Sequence, residues 1–492
     1  MKSRRFVSLF AVLTFATLLF MLAASQPNSA VQASPQKEAP LFQHPLQYAA
    51  GGEASESAVV ADVNGDGIPD VVAASQNGSG HGSVGVLIGI GNGKFQPTVS
   101  YDSGGVEAWG LAVADVNGDG NPDILVTNVQ SNSVGVLLGH GDGTFAPAVT
   151  YNGGASYTIS VADVNRDGKP DLITGGLDVL LGNGDGTFQP PRNFGPFGQF
   201  ATMADVNGDG KLDIVSVGSA GGVGVLLGNG DGTFQSAVSY STGGSQSSGV
   251  AVGDLNGDGK PDIAVPNYCA GGVCNTNNGQ VVILFGNGDG TFQAPITYDS
   301  GAKFAQAVAI GDVDGDGNPD LIVGNACEPK KNGCSSHGEL EFLLGEGNGS
   351  FQPPRTFLTP GPIASIAMAD VNGGRPDLIL AGDGSSIMAL YGDLVPSATA
   401  LTTSPNPAAV GQTVTLTATI TPSIGVDQGG ETVGFYDGTT LIGSGTTFHG
   451  IATLTTSFST AGTHKLKAEF PKNTAFDKSI GKANQSVDAG GN

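Results

Sequence analysis

Seven times the chain places a short, aspartate-rich stretch between two apolar runs. The copies begin at Asp62 (DVNGDGIPD), Asp115 (DVNGDGNPD), Asp163 (DVNRDGKPD), Asp205 (DVNGDGKLD), Asp254 (DLNGDGKPD), Asp312 (DVDGDGNPD) and Asp370 (DVNGGRPD). In the intact copies oxygen-bearing side chains stand at positions 1, 3, 5 and 9, and Gly at position 6 permits the sharp turn that lets both halves face one point. Such a set suits calcium, a hard cation that takes about six to eight oxygens in flexible geometry. In the first copy the donors are Asp62, Asn64, Asp66, Asp70 and the backbone carbonyl of Ile68. The same positions are filled by Asp115, Asn117, Asp119, Asp123 and the Asn121 carbonyl, and by Asp163, Asn165, Asp167, Asp171 and the Lys169 carbonyl. They recur as Asp205, Asn207, Asp209, Asp213 with Lys211, as Asp254, Asn256, Asp258, Asp262 with Lys260, and as Asp312, Asp314, Asp316, Asp320 with Asn318.

The seventh copy is one residue short and carries Gly374 where an aspartate should stand, so it is expected to bind weakly or not at all. About six calcium sites follow. A hydrogen-bonded Asx turn without metal would explain any one copy. It does not explain three carboxylates in close quarters six times over, since a turn needs only one Asp. An EF-hand fits poorly, because strand-type runs flank the loop and no Glu stands at position 12.

The elements that must hold these loops follow from their spacing. Successive copies lie 53, 48, 42, 49, 58 and 58 residues apart, a repeat architecture. Each unit has the same order: a short run with small residues (Leu111-Ala112-Val113-Ala114), the acidic loop, and a second run (Ile124-Leu125-Val126). A third run ends in a glycine cluster (VGVLLGHGDGTF, 134–145), and a fourth closes the unit, as from Phe292 to Tyr298. Four strand-length runs bounded by Gly, Asn and Asp turns read as a four-stranded antiparallel sheet. One such sheet cannot bury both faces, but seven arranged radially can, and that is a β-propeller. The seventh unit stops at Tyr391-Gly392-Asp393, before any Phe-Gln-Pro strand. The missing strand stands near the other end of the chain, in Phe42-Gln43-His44-Pro45-Leu46-Gln47-Tyr48. The expected ring is therefore closed by its N-terminal segment, which removes an open edge.

The chain has 492 residues, only 13% of them charged, with 80 glycines and a formal charge of −24. This balance argues against nucleic acid or an anionic membrane as partner and suits a protein that holds cations. Residues 1–33 read as a secretory signal, with Lys2, Arg4 and Arg5 before an uncharged run from Phe6 to Ala24 and a small-residue cleavage site at Val31-Gln32-Ala33. Uncleaved, the same run is long enough to anchor the chain in a membrane; no other stretch is. Residues 34–41 form a linker, and the propeller is expected over 42–393. Four cysteines form two local pairs, Cys269/Cys274 and Cys327/Cys334. In an exported chain these read as two small disulfide-closed loops; a zinc site usually needs tighter Cys-x-x-Cys spacing.

Residues 42–393 resemble the FG-GAP/VCBS repeat family, seven-bladed propellers similar to the head of integrin α-subunits. The Asp-x-Asn-x-Asp-Gly-x-Pro-Asp loop and the Leu-Leu-Gly-x-Gly-x-Gly-x-Phe segment carry the likeness. The resemblance implies that the loop joins the innermost two strands of each blade and holds calcium. It implies much less about function, since such folds host adhesins, carbohydrate-associated surface proteins and a few enzymes. With the loop between strands one and two, the glycine cluster between strands three and four falls on the same face, nearly constant from blade to blade. The opposite face carries the variable connections, the longest being 266–280 and 326–339, which hold the cysteines. Binding residues concentrate on such loops over a rigid scaffold. Trp109, the only tryptophan, is expected there beside the central channel, with Tyr157 and Phe200 in similar positions. These rings suit a sugar or protein ligand, or else plug the channel and pack between blades.

From Pro396 the acidic loop vanishes and threonine becomes dense. Thr413 to Ile420 alternates as a half-buried strand, and further strands are expected at 431–437, 440–446, 450–458, 463–470 and 480–488. About seven short strands suggest an immunoglobulin-like sandwich over 394–492. The segments Ser404-Pro405-Asn406-Pro407, Val433-Gly434-Phe435-Tyr436-Asp437-Gly438 and Ala461-Gly462-Thr463-His464 resemble bacterial Ig-like repeats of surface proteins. The fold class is thus all-β: a seven-bladed β-propeller plus a C-terminal Ig-like β-sandwich.

The six histidines share no metal-ligand spacing, and neither a Gly-x-Ser-x-Gly elbow nor a phosphate-binding loop is present. The carboxylates could supply a glycosidase or lyase pair, but most are expected to hold calcium, and an ion-bound carboxylate is a poor proton shuttle. The expectation is a secreted or cell-surface, monomeric binding or adhesion protein, not an enzyme, with an extracellular protein or glycan ligand. A carbohydrate-active enzyme and a purely structural surface component are the alternatives.

Overall fold

The computed structural model describes residues 41–42, 45–77, 80–91, 93–153, 156–195, 198–218, 221–270, 279–327, 329–330, 333–334, 337–382, 384–392, 398–421, 432–448, 450–471 and 478–489. The expected signal segment therefore lies outside the described residues. Every regular element described is a strand, and seven antiparallel sheets follow one another before a sandwich. The first sheet runs Ala54–Ala61, Asp70–Gln76, His81–Leu87 and Val99–Val106, each strand paired with the next. The middle strands are buried on both faces; Asp123–Asn128 and Ser133–Leu137 in the second sheet have no exposed residue. That is why these runs read as continuous Val, Ile and Leu and not as alternating patterns. Between the first two sheets, Val72 and Val86 meet Leu111, Ile124, Val126 and Leu137 in one apolar cluster.

The first strand of each sheet touches the first strands of its neighbours. The series runs from Ala54–Ala61 through Ala108–Ala114, Ile159–Ala162, Phe200–Ala204, Ala251–Gly253 and Lys303–Gly311 to Ser365–Ala369, which returns to Ala54–Ala61. The sheets thus stand radially around a central axis as a β-propeller. In the fifth sheet the inner strand is broken: Gly244–Ser247 and Ala251–Gly253 both pair with Asp262–Ala270.

The last of these sheets takes its outer strand from the start of the described chain. Leu46–Ala49 pairs antiparallel with Ser386–Leu390, Leu46 opposite Ala389. Phe42, 2% exposed, stacks on Phe342 of the preceding sheet with ring centroids 5.2 Å apart. Tyr48 meets Phe95 of the first sheet edge-on at 5.2 Å. The same edge-on pair joins other neighbouring sheets: Tyr101 to Phe145, Tyr151 to Phe188, Tyr240 to Phe292 and Tyr298 to Phe351. The Phe-Gln-x-Pro-x-x-Tyr signature, with Tyr six residues after Phe, is therefore an inter-blade staple, its Tyr reaching the Phe of the next repeat. Removing the ring at the seam by Phe42→Ala should cost about 3–5 kcal/mol, as for other buried Phe truncations. Thermal and denaturant melts measure this; a loss under about 1 kcal/mol would mean the segment does not hold the seam.

The described residues between 398 and 489 form the sandwich. One sheet orders Ala398–Ser404, Thr413–Thr421 and Ile451–Ser457. The other orders Ala408–Ala409, Ser479–Asp488, Gly462–Phe470, Thr432–Asp437 and Thr440–Thr446. Val414, Leu416, Val433, Phe435, Leu466 and Phe470 share its core. The alternation in the sequence is this inward and outward pattern.

Candidate functional site

Each acidic loop joins the first and second strands of its sheet, and in the first copy its own carboxylates fold it. Asp62 Oδ1 accepts the Gly65 N–H at 2.7 Å, and its Oδ2 accepts the Gly67 N–H at 2.8 Å. Asn64 Oδ1 accepts from the Asp66 N–H at 2.9 Å, and Asp66 Oδ1 from the Ile68 N–H at 2.8 Å. Gly65 and Gly67 have φ of 73° and 81°, the left-handed region that favours glycine. The third copy puts Arg166 at the first of these positions with φ 62°, and its guanidinium donates to the Gly210 carbonyl of the next loop. The same turns recur at Asp115, Asn117 and Asp119, at Asp163, Asn165 and Asp167, at Asp205, Asn207 and Asp209, at Asp254, Asn256 and Asp258, and at Asp312, Asp314 and Asp316. The Asx turn and the metal loop are thus compatible: an oxygen that accepts one N–H keeps a further lone pair for a cation.

Position 9 has a second task. Asp70 is fully buried, its Oδ2 accepting the Val63 N–H at 2.8 Å and its Oδ1 the Gly89 N–H at 2.7 Å. Gly89 belongs to the connection between strands three and four, so one carboxylate ties the two turns of a blade together. Asp123, Asp171, Asp213, Asp262 and Asp320 repeat both bonds at 2.7–3.0 Å. Burial pushes the Asp70 and Asp320 carboxyls up to about 6, opposed by these N–H bonds and reinforced by the other carboxylates of each loop. In the sixth copy, oxygens of Asp312, Asp314 and Asp320 lie within 4.8 Å of one another. An all-oxygen, all-anionic cluster of this kind fits a hard divalent cation. The short seventh copy keeps only the tie: Asp377 accepts from Val371 at 2.9 Å and Gly392 at 2.8 Å, while Asp370 closes a turn with Gly373 and Gly374.

The opposite ends of the inner strands meet around the channel. Trp109 and Tyr157 touch edge-on with centroids 4.6 Å apart, and Tyr157 stacks on Phe200 at 5.2 Å and 17°. All three line a cavity of about 310 Å³. The rings pack against one another, yet they border open space, and a second cavity of about 220 Å³ continues between the inner strands. Gln199, Gln246, Gln306 and Tyr268 line the larger cavity as well, and the sequence reading did not single them out. A signal for two of them was present. Six residues before the first Asp of each loop stand Glu56, Trp109, Tyr157, Gln199, Ser248, Gln306 and Ala364, all of which border one cavity or both. Gln246 has φ 57°, a conformation that a non-glycine residue adopts only when its surroundings hold it there. Cys274 lies outside the described residues, as do the side chains of Cys269, Cys327 and Cys334, although Pro329–Lys330 and Gly333–Cys334 pair as a small hairpin.

Two buried carboxylates, Glu339 and Glu341, belong to neither group. Glu341, 1% exposed, lies in the third strand Gly338–Leu343 of the sixth sheet, where the first two sheets have Gly85 and Gly135. Burial pushes it up to about 7, opposed by the Thr356 hydroxyl that donates to it at 2.9 Å and reinforced by Glu339 and Asp299. The folded state thus holds this proton more tightly than the unfolded chain does. Its effect on stability vanishes below pH 4.5 and grows to a full penalty as pH rises through about 7. Glu341→Gln should therefore add about 1–3 kcal/mol at pH 8 and little at pH 4. Denaturant melts at the two pH values check this; an equal effect at both would refute it.

The family matches fit a propeller followed by an Ig-like domain. Residues 62–126, 115–174, 205–265 and 271–323 match the FG-GAP-like repeat, and residues 248–284 match the FG-GAP repeat. Residues 401–488 match the bacterial Ig-like domain (group 3). No curated protein matches the chain in sequence. Among solved structures, the crystal structure of BBS1N in complex with ARL6DN aligns in a mercury-soaked form (12% identity, TM-score 0.46) and a lead-soaked form (11%, 0.45). Each alignment covers 72% of this chain and 97% of the other.

Proposed function

Because the chain consists of FG-GAP-like repeats followed by a bacterial Ig-like domain, we propose that it is an extracellular or cell-surface adhesion protein that binds its ligand at the channel mouth opposite the acidic loops. Repeats and domains of these kinds fit adhesion-type proteins outside the cell, and FG-GAP repeats are commonly calcium-binding. No helix among the described residues is long and apolar enough to cross a membrane. The observation that carries the reading is the segregation of the two ends of each blade. Carboxylates gather at one end, and an aromatic cavity with neutral polar groups opens at the other.

Calcium would act here as a structural ion in the six complete loops, held by positions 1, 3, 5 and 9. Its effect reaches the ligand through the inner strands. Each runs six residues from a channel-mouth side chain to the first loop Asp, roughly 20 Å of extended chain. Fixing the loop fixes the register of that strand, and with it the height at which Trp109 or Gln306 enters the cavity. The chain's own residues then supply apolar ring surface and neutral hydrogen-bonding groups.

The full chain should bind one component of a panel of immobilised extracellular proteins and glycans in calcium. That binding should fall with chelator and with Trp109→Ala or Tyr268→Ala. Binding that survives both substitutions would place the site elsewhere, and turnover of a polysaccharide on the panel would favour a catalytic role.

A further inference from the structure

We infer that the ligand of the channel-mouth cavity is an uncharged saccharide, a conclusion that rests on this cavity being the binding site proposed above. None of the residues lining the larger cavity carries a charge: the polar groups are amides and hydroxyls, and Glu56, which borders only the smaller one, accepts from the Gln76 amide at 3.2 Å. An ion entering the larger cavity would lose hydration without meeting a counter-charge. The amides of Gln199, Gln246 and Gln306 have no hydrogen-bond partner among the described residues, so they are free to turn donors and acceptors toward a ligand. A saccharide hydroxyl both gives and takes a hydrogen bond, and a carboxamide matches both roles. The formal charge of −24 also disfavours an acidic sugar.

The rings separate a saccharide from the other neutral or cationic candidates. A cage for a quaternary ammonium needs several ring faces converging on one point. Here Tyr157 is covered by Phe200 on one face and met by Trp109, while Tyr268 stacks on Phe304 at 4.4 Å. Rings paired in series form walls, not a cage. A wall offers a flat apolar platform for the C–H face of a pyranose, with the amides at its border to take the hydroxyls. The volume, about 310 Å³, lies at the small end of the range for small-ligand clefts, which suits a chain terminus or short oligosaccharide better than a folded protein surface. The left-handed Gln246 holds one of the amides at the rim of this space, where the inner strand of the fifth sheet is broken.

Trp109 is the only tryptophan, so its fluorescence reports this cavity alone. The calcium-loaded full chain is titrated with neutral gluco-, xylo-, manno- and galacto-oligosaccharides, with oligogalacturonate, with tetramethylammonium and with oligolysine. At least one neutral oligosaccharide should shift the emission saturably. Gln199→Ala and Gln306→Ala should each weaken it about tenfold, the effect of one or two hydrogen bonds, with melting temperatures unchanged. Saturation by tetramethylammonium, oligolysine or oligogalacturonate in place of the neutral sugars would overturn the inference. If no sugar shifts the emission while Trp109→Ala still abolishes capture of a protein on the panel, the site stands and the saccharide reading fails. If Trp109→Ala changes no binding, the site itself fails.

Discussion

Removal of calcium from the full chain should lower the melting temperature by roughly 10 °C. At tenfold saturation one site adds about 1.4 kcal/mol, and six add about 8. Over a propeller of some 350 residues, an unfolding entropy near 2 cal/mol/K per residue converts about 8 kcal/mol into a shift of roughly 10 °C. The physical source is visible in each loop. Burial first, and then the charges of Asp66 and Asp62, push Asp70 up to about 6, so the metal-free loop carries repulsion that a divalent ion relieves. The titration is more telling than the single shift. Above the dissociation constant, each tenfold rise in free calcium should add about 1.4 kcal/mol for every site that binds, so the slope counts the sites. Asp258→Asn should reduce that slope by one site, whereas Asp370→Asn in the short seventh loop should leave it unchanged. Scanning calorimetry in buffered calcium gives both numbers, and a melt indifferent to chelator would remove the metal from the account.

Much of this molecule was legible because its repeats state the same physics many times. The Asp-rich spacing located seven turns, the apolar runs located the strands, and Phe42 to Tyr48 declared itself as the outer strand missing from the last unit. Less legible was anything that depends on a partner distant in the chain. The motif says that Asp262 is an oxygen donor, but not that Gly286, 24 residues on, claims one of its oxygens. The channel mouth was found through its aromatics, since a lone tryptophan at a strand start is conspicuous. Gln199 and Gln306 were missed because an exposed or half-exposed glutamine is ordinary until the ring brings it beside two others. Counting back six residues from each loop would have collected them. Glu341 was missed for the opposite reason: a carboxylate inside the apolar run GELEFL is conspicuous, but only the packing of Thr356 and Gly301 around it shows that it is buried.

The position-9 aspartates should prove more costly to remove than any exposed ligand, and for a reason independent of metal. Asp262→Ala deprives the Leu255 and Gly286 N–H groups of the acceptor they share at 2.9 and 2.8 Å. Each buried, unsatisfied donor costs about 1–3 kcal/mol, and the void left by the carboxylate adds to it, for a total of about 3–5 kcal/mol. Asp258, exposed at position 5, serves no such tie; in excess chelator Asp258→Asn should stay within about 0.5 kcal/mol of the parent. The seventh sheet separates the two roles cleanly. Its loop lacks the position-5 carboxylate, yet Asp377 is as buried as its counterparts and bonds Val371 and Gly392 in the same way. If the tie between the two turns is what stabilises a blade, Asp377→Ala should cost about as much as Asp262→Ala, with or without calcium. If position 9 matters only as a metal ligand, Asp377→Ala should be nearly silent. Denaturant melts of the two variants in chelator decide between these outcomes, and the geometry at Gly392 favours the first.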